Sequence, residues 1–128
     1  MELILGTAQL RRAYGVVQRR EDHLDEQGAV ELLRYAATIG IDALDTAPVY
    51  GDAEQTIGKA DLSLPVHTKI DPALSPAQSV ARSLQRLRRE RVDVLYVHDA
   101  AEVLRPDSRV LAEAYEMVGT IVGCLGVS

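Results

Sequence analysis

Short apolar runs alternate along the chain with stretches whose apolar positions recur at helical spacing. Leu3-Ile4-Leu5 reads as a strand that runs into Gly6-Thr7. A polar, arginine-rich stretch from Arg11 to Asp25 follows and predicts a loop or small hairpin. Asp25 then caps a helix whose apolar stripe is Ala29, Leu32, Leu33 and Ala36, closed by Gly40. Ile41 to Leu44 reads as a second strand, ending at Asp45. A loop over Thr46 to Asp52 leads to a short helix over Ala53 to Ala60, with Ile57 as its core contact. Pro65 to Lys69 is strand-like. Ser75-Pro76 opens another helix, with serine as cap and proline in the first turn. Its apolar stripe is Ala77, Val80, Leu84 and Leu87, and Arg82, Arg86 and Arg89 lie off it as a solvated basic ridge. Val92 to Val97 is apolar except for Asp93, as in a strand buried on both faces. Asp107 or Ser108 caps a helix through Met117, its apolar side formed by Val110, Leu111, Ala114 and Tyr115. Ile121 to Val127 is the last strand.

The order is five strands and four helices in strict alternation, which predicts an α/β fold with a parallel sheet and right-handed crossovers. Strand ends fall near Asp45, Lys69, His98 and Ser128, at intervals of 24 to 30 residues. Periodicity alone permits an open doubly wound sheet or a barrel segment. Gly6-Thr7-Ala8-Gln9 after the first strand is not the glycine-rich dinucleotide turn, which weighs against the doubly wound reading.

Composition narrows the class. The 128 residues are 47% hydrophobic and 26% charged, ordinary for one globular domain. A net charge of −5 lacks the basic footprint of a nucleic-acid binder. No apolar run reaches the roughly 20 residues of a membrane span, and the acidic start Met1-Glu2 is unlike a signal peptide. The expectation is a soluble, cytoplasmic protein with no nucleic-acid or membrane partner. The single cysteine, Cys124, sits in an apolar strand and is expected to be a buried small hydrophobe.

In parallel α/β folds, ligands meet the C-terminal ends of the strands. There the sequence delivers Asp45, then Tyr50 in the following loop, Lys69 and His98. A carboxylate, a phenol, an ammonium and an imidazole suit the reduction of a carbonyl. The oxygen that receives negative charge needs a proton donor and cationic support. A phenol has a reference pKa near ~10, and an adjacent ammonium favours its ionised form. A carboxylate holds the ammonium in place, and a histidine orients the substrate oxygen. A second enzyme class, a metal-dependent barrel hydrolase, would draw on His67, His98, Asp45, Asp71 and Asp99. His67 shares strand parity with Lys69 and is expected to be a buried, hydrogen-bonded histidine inside the barrel.

The segment Gly40-Ile41-Asp42-Ala43-Leu44-Asp45-Thr46-Ala47-Pro48-Val49-Tyr50-Gly51, with Glu54 and Ile57-Gly58 beyond it, resembles the second-strand signature of the aldo-keto reductases. Ser83-Leu84-Gln85-Arg86-Leu87 followed by Val92 to His98 resembles the family's third helix and fourth strand. Leu5-Gly6-Thr7-Ala8-Gln9 with Tyr14-Gly15 is similar to the opening of its bacterial branch tied to sugar and polysaccharide pathways, and Gly126-Val127-Ser128 to its fifth strand. The resemblance implies a partial (β/α)8 TIM barrel over residues 1–128 as a single domain, and NADP(H)-dependent reduction of a small aldehyde or ketone. It implies Tyr50 as the proton donor, Lys69 and Asp45 as the groups that tune it, and His98 as the group that orients the carbonyl. Gly6 and Thr7 would lie near the nicotinamide, and Ser128 near its carboxamide.

A complete barrel of this kind needs about 250 residues. The resemblance places the family's grip on adenine and phosphates mostly beyond the fifth strand. Two functional readings follow: a reductase impaired by its length, or an inactive folded module that only self-associates. Either way, a half barrel predicts a homo-oligomer through its strand edges or inner face.

Overall fold

The computed structural model describes residues 2–10 and 24–128. The Arg11 to Asp25 stretch therefore lies largely outside the described residues, as do Tyr14-Gly15 and His23. Five strands form one sheet: β1 (Ile4–Gly6), β2 (Ala43–Asp45), β3 (Val66–Lys69), β4 (Val92–Val97) and β5 (Val122–Val127). They are all parallel and lie in the order β1-β2-β3-β4-β5. Between them run α1 (Glu26–Thr38), α2 (Ala53–Ala60), α3 (Pro76–Leu87), α4 (Ala100–Val103) and α5 (Arg109–Glu116). Strands that follow one another in space as in sequence keep every crossover moving the same way, so the helices collect on one face. α1 packs on α2, α2 on α3, and α3 on α5. This is a sector of a β/α barrel and not a doubly wound sheet.

Local chemistry sets the helix ends. Asp25 accepts from the Gly28 N–H, and Gly40 follows α1 at φ +92°, a conformation in which a side chain would be strained. Ser75 and Gln78 form a capping box at α3 with Pro76 in the first turn. The turn α4 was not expected. Its cap, Asp99, accepts from the Ala101 N–H, but four residues are too few to show a helical period.

The sheet has two chemically different faces. Leu44, Val66, Leu95 and Val122 are fully buried in the same cluster as Leu33, Ile57, Val80 and Leu87 of the helices. Leu32 and Tyr115, expected on apolar faces, are exposed instead. Register puts Asp45, His67, Val94 and Cys124 in one row, and Lys69, Tyr96 and Gly126 in the next, on the opposite, inner face. Cys124 is exposed there, contrary to expectation, because an apolar run on an outermost strand presents alternate residues to an open face.

Nor is the arginine ridge simply solvated. Arg86 reaches the carboxylate of Glu54 at 3.3 Å, and Arg89 donates to the Leu62 carbonyl at 2.6 Å. Burial lowers the pKa of Arg89 from its ordinary value, against the raising influence of Asp93 and Asp61. Of the three, only Arg82 is exposed. α2 and α3 approach closely at Gly58, where an added Cβ would collide with the Arg86 carbonyl oxygen.

Candidate active site

The C-terminal ends of β1 to β4 bring the expected groups together. Asp45 closes β2 and Lys69 closes β3, on the same face of adjacent strands. The Lys69 ammonium lies 2.9 Å from both carboxylate oxygens of Asp45 and 3.0 Å from the Thr46 carbonyl. Lys69 is buried at 7% exposure, so its charge rests on these acceptors and not on water. The Asp45 side chain keeps 30% exposure and faces the rim.

Tyr50 arrives on the β2–α2 loop, which two turns shape. The Tyr50 N–H donates to the Ala47 carbonyl, and the Tyr50 carbonyl accepts from the Ala53 N–H. Gly51, at φ +67°, completes the turn into α2. The loop is tied down from outside by Arg86, which donates to the Pro48 carbonyl at 3.4 Å and to Glu54. Glu54 is 1% exposed, and its other oxygen accepts from the Thr68 hydroxyl at 2.9 Å. Thr68 neighbours Lys69 in β3. One buried carboxylate thus joins the Tyr50 loop, the lysine strand and α3. Arg86 and Thr68 were missed as site-supporting residues. Arg86 lies in the third-helix motif quoted above and Glu54 in the second-strand motif, but nothing in the sequence pairs the two.

The ammonium sits beneath the Tyr50 ring, 5.2 Å from its centroid. Tyr50, Lys69 and His98 line a cavity of about 210 Å³ together with Pro48, Ile70 and Pro72. A second cavity of about 210 Å³ adjoins it past Ile70, Pro72 and His98, toward Asp99 and Val110. His98 is exposed just beyond β4, and its Nδ1 lies 3.5 Å from the Ser128 hydroxyl. A phenol, a charge-paired ammonium and an imidazole around one small hollow can bind a polar oxygen and deliver a proton to it.

Gly6 pairs in register with Asp45 and opens on empty space, with nothing within 4 Å of where a Cβ would stand. Thr7 is different. Its hydroxyl donates to the Asp45 carbonyl at 2.9 Å, and at 1% exposure it serves the β1–β2 junction. His67 is buried as expected, but its Nδ1 has no hydrogen-bond partner. Among the described residues no three of His, Cys, Asp or Glu converge as metal ligands, so His67, His98, Asp45, Asp71 and Asp99 do not assemble the hydrolase site. Among those residues, too, no helix is long and apolar enough to cross a membrane.

Fold and rim together define a β/α-barrel sector with a small hollow at its strand ends, into which Tyr50, Lys69 and His98 face. The family is more specific. A model of the aldo/keto reductase family matches residues 2–118, and the chain belongs to that family. It is 29% identical over 123 residues to D-arabinose 1-dehydrogenase of Saccharomyces cerevisiae, covering 82% of this chain and 35% of the yeast protein. An aldo-keto reductase structure from Pseudomonas aeruginosa superposes with a TM-score of 0.80 at 29% identity, over 98% of this chain and 54% of that one. The Bombyx mori aldo-keto reductase in complex with NADP shares the fold, with a TM-score of 0.69 at 20% identity over 98% and 45% of the two chains. The chain therefore spans about half the length of these solved relatives.

Proposed function

We propose that this chain carries the proton-donating half of an NADP(H)-dependent carbonyl reductase acting on a small aldehyde or ketone. The observation that carries the proposal is the Lys69 ammonium, buried against Asp45 and seated under the Tyr50 ring at the wall of a hollow shared with His98. In this reading a carbonyl oxygen enters the hollow, His98 orients it, and the Tyr50 hydroxyl donates a proton to it. Lys69, held charged by Asp45, stabilises the phenolate that remains. NADPH supplies the hydride to the carbonyl carbon when bound. The free space over Gly6 and the exposed Ser128 hydroxyl fit the nicotinamide end of such a cofactor. Thr7 would contribute through its hold on Asp45, since its hydroxyl is already engaged.

The test is a fluorescence titration with NADPH on the 128-residue chain, followed by NADPH consumption with a short aldehyde. Saturable binding and turnover are expected. No binding at millimolar cofactor overturns the reading and leaves the inactive, self-associating module.

Self-association accompanies either outcome. Among the described residues β1 and β5 each pair with a single strand, and Ile4 and Val127 on them are 44% and 51% exposed. Open edges of this kind favour pairing with a second copy. Sedimentation velocity at micromolar concentration is expected to show a dimer or larger species. A compact monomer would rule this out.

A further inference from the structure

The structure assigns Tyr96 a positioning role for the Lys69 ammonium, as the second wall of an aromatic clamp whose first wall is Tyr50. The assignment deepens the reductase reading and rests on it for its catalytic meaning. Tyr96 stands opposite Lys69 in register on the adjacent strand, on the same inner face. The ammonium lies 5.6 Å from the Tyr96 centroid and 5.2 Å from that of Tyr50, within reach of the negative faces of both rings.

Two neighbours fix the Tyr96 ring. The first is Gly126, its register partner on β5. A Cβ there would lie 2.5 Å from both Cδ1 and Cε1 of the ring, so the missing side chain is the space the ring occupies. The second is His67, which meets the ring edge-on, with centroids 6.1 Å apart and planes at 63°. The packing explains what Asp45 and the Thr46 carbonyl cannot. Those acceptors hold the ammonium, while the inner face of the sheet beneath it would otherwise admit water. Tyr96 covers that side. Lys69 is thereby kept dry at 7% exposure and pressed toward Tyr50, and Gly126 and His67 act through Tyr96.

Composition makes the test clean, because Lys59 and Lys69 are the only lysines in the chain. Lys59 is an exposed partner of Glu26 and serves as the internal standard. Reductive methylation with isotope-labelled formaldehyde, followed by NMR, reads each amine separately in the full chain. In the unmodified protein Lys59 reacts fast and Lys69 slowly. Tyr96→Leu is expected to speed Lys69 methylation by about tenfold relative to Lys59, and Tyr96→Phe to restore protection. Gly126→Ala, which evicts the ring without deleting it, is expected to mimic Tyr96→Leu. Far-UV circular dichroism identifies any variant that loses its fold. If Tyr96→Leu unfolds, Gly126→Ala and Tyr96→Phe decide. Lys69 protection unchanged in folded Tyr96→Leu or Gly126→Ala overturns the assignment, as does failure of Tyr96→Phe to protect. Turnover is read separately: kcat falls in Tyr96→Leu while the NADPH dissociation constant holds. A chain that shows the methylation pattern but reduces no carbonyl keeps the clamp and refutes the reductase reading alone.

Discussion

Replacing Tyr50 with Phe is expected to lower carbonyl turnover by about 10²- to 10⁴-fold, the usual contribution of a positioned proton donor. The substitution removes one oxygen and keeps the ring. The ring centroid 5.2 Å from Lys69 still offers its face to the ammonium, so the lysine stays in place. The hollow keeps its shape, because Pro48, Ile70 and His98 are untouched. NADPH affinity is expected to hold, since in the proposed reaction the hydroxyl faces the substrate oxygen while Gly6 and Ser128 would serve the cofactor. Loss of turnover at constant cofactor affinity marks an interaction made in the transition state and not in ground-state binding. The comparison is NADPH consumption against NADPH fluorescence titration for the two proteins. A variant that retains more than a tenth of the turnover removes Tyr50 from the donor role. Parallel loss of binding would place it in the cofactor site.

Much of this geometry was legible because the signals are local. Asp25, Ser75-Pro76 and Gly40 mark helix ends through caps that involve residues no more than five apart. Asp45, Lys69 and His98 fall at strand ends because the chain alternates β and α, and parallel strands deliver their C-termini to one rim. What stayed hidden depends on pairings across distant segments. Tyr96 sits in an apolar run whose parity toward Lys69 is a matter of register between β3 and β4, 27 residues apart in sequence. Cys124 reads as core because the run is apolar, and only the outer position of β5 in the sheet exposes it. Arg86 and Arg89 read as solvated because they lie off the apolar stripe of α3. That polar flank nevertheless packs against its neighbours: Ser79 and Ser83 are buried on α3, and Gly58 lets α2 come close. A long side chain beside such a contact can reach a buried acceptor that no helical period announces.

Arg86→Met should therefore cost far more than a surface arginine. The side chain of Glu54 is 1% exposed and that of Arg86 18%, with 3.3 Å between the charges. Deleting the guanidinium leaves a buried carboxylate that still accepts from the Thr68 hydroxyl at 2.9 Å but has lost its cation, and an uncompensated buried charge of this kind costs about 3–5 kcal/mol. Against the ~5–15 kcal/mol that typical domains possess, that is a large share. The reverse deletion, Glu54→Gln, should be milder. The amide can still accept from Thr68, and the arginine left behind reaches solvent. Removing both charges together, with Met at each position, should recover much of the loss, because a buried pair contributes little net stability beyond an apolar pair of similar volume. Urea denaturation of these variants, of Glu54→Met and of the parent closes the cycle. A cost below about 1 kcal/mol for Arg86→Met would reduce the pair to an ordinary surface bridge. The substitution has a second reading in catalysis. Arg86 also holds the Pro48 carbonyl, two residues before Tyr50. Where Arg86→Met remains folded, turnover should fall while Lys69 stays largely protected from methylation, since Asp45 at the end of β2 and Tyr96 on β4 still hold it. A loose Tyr50 loop is thereby separated from a loose lysine.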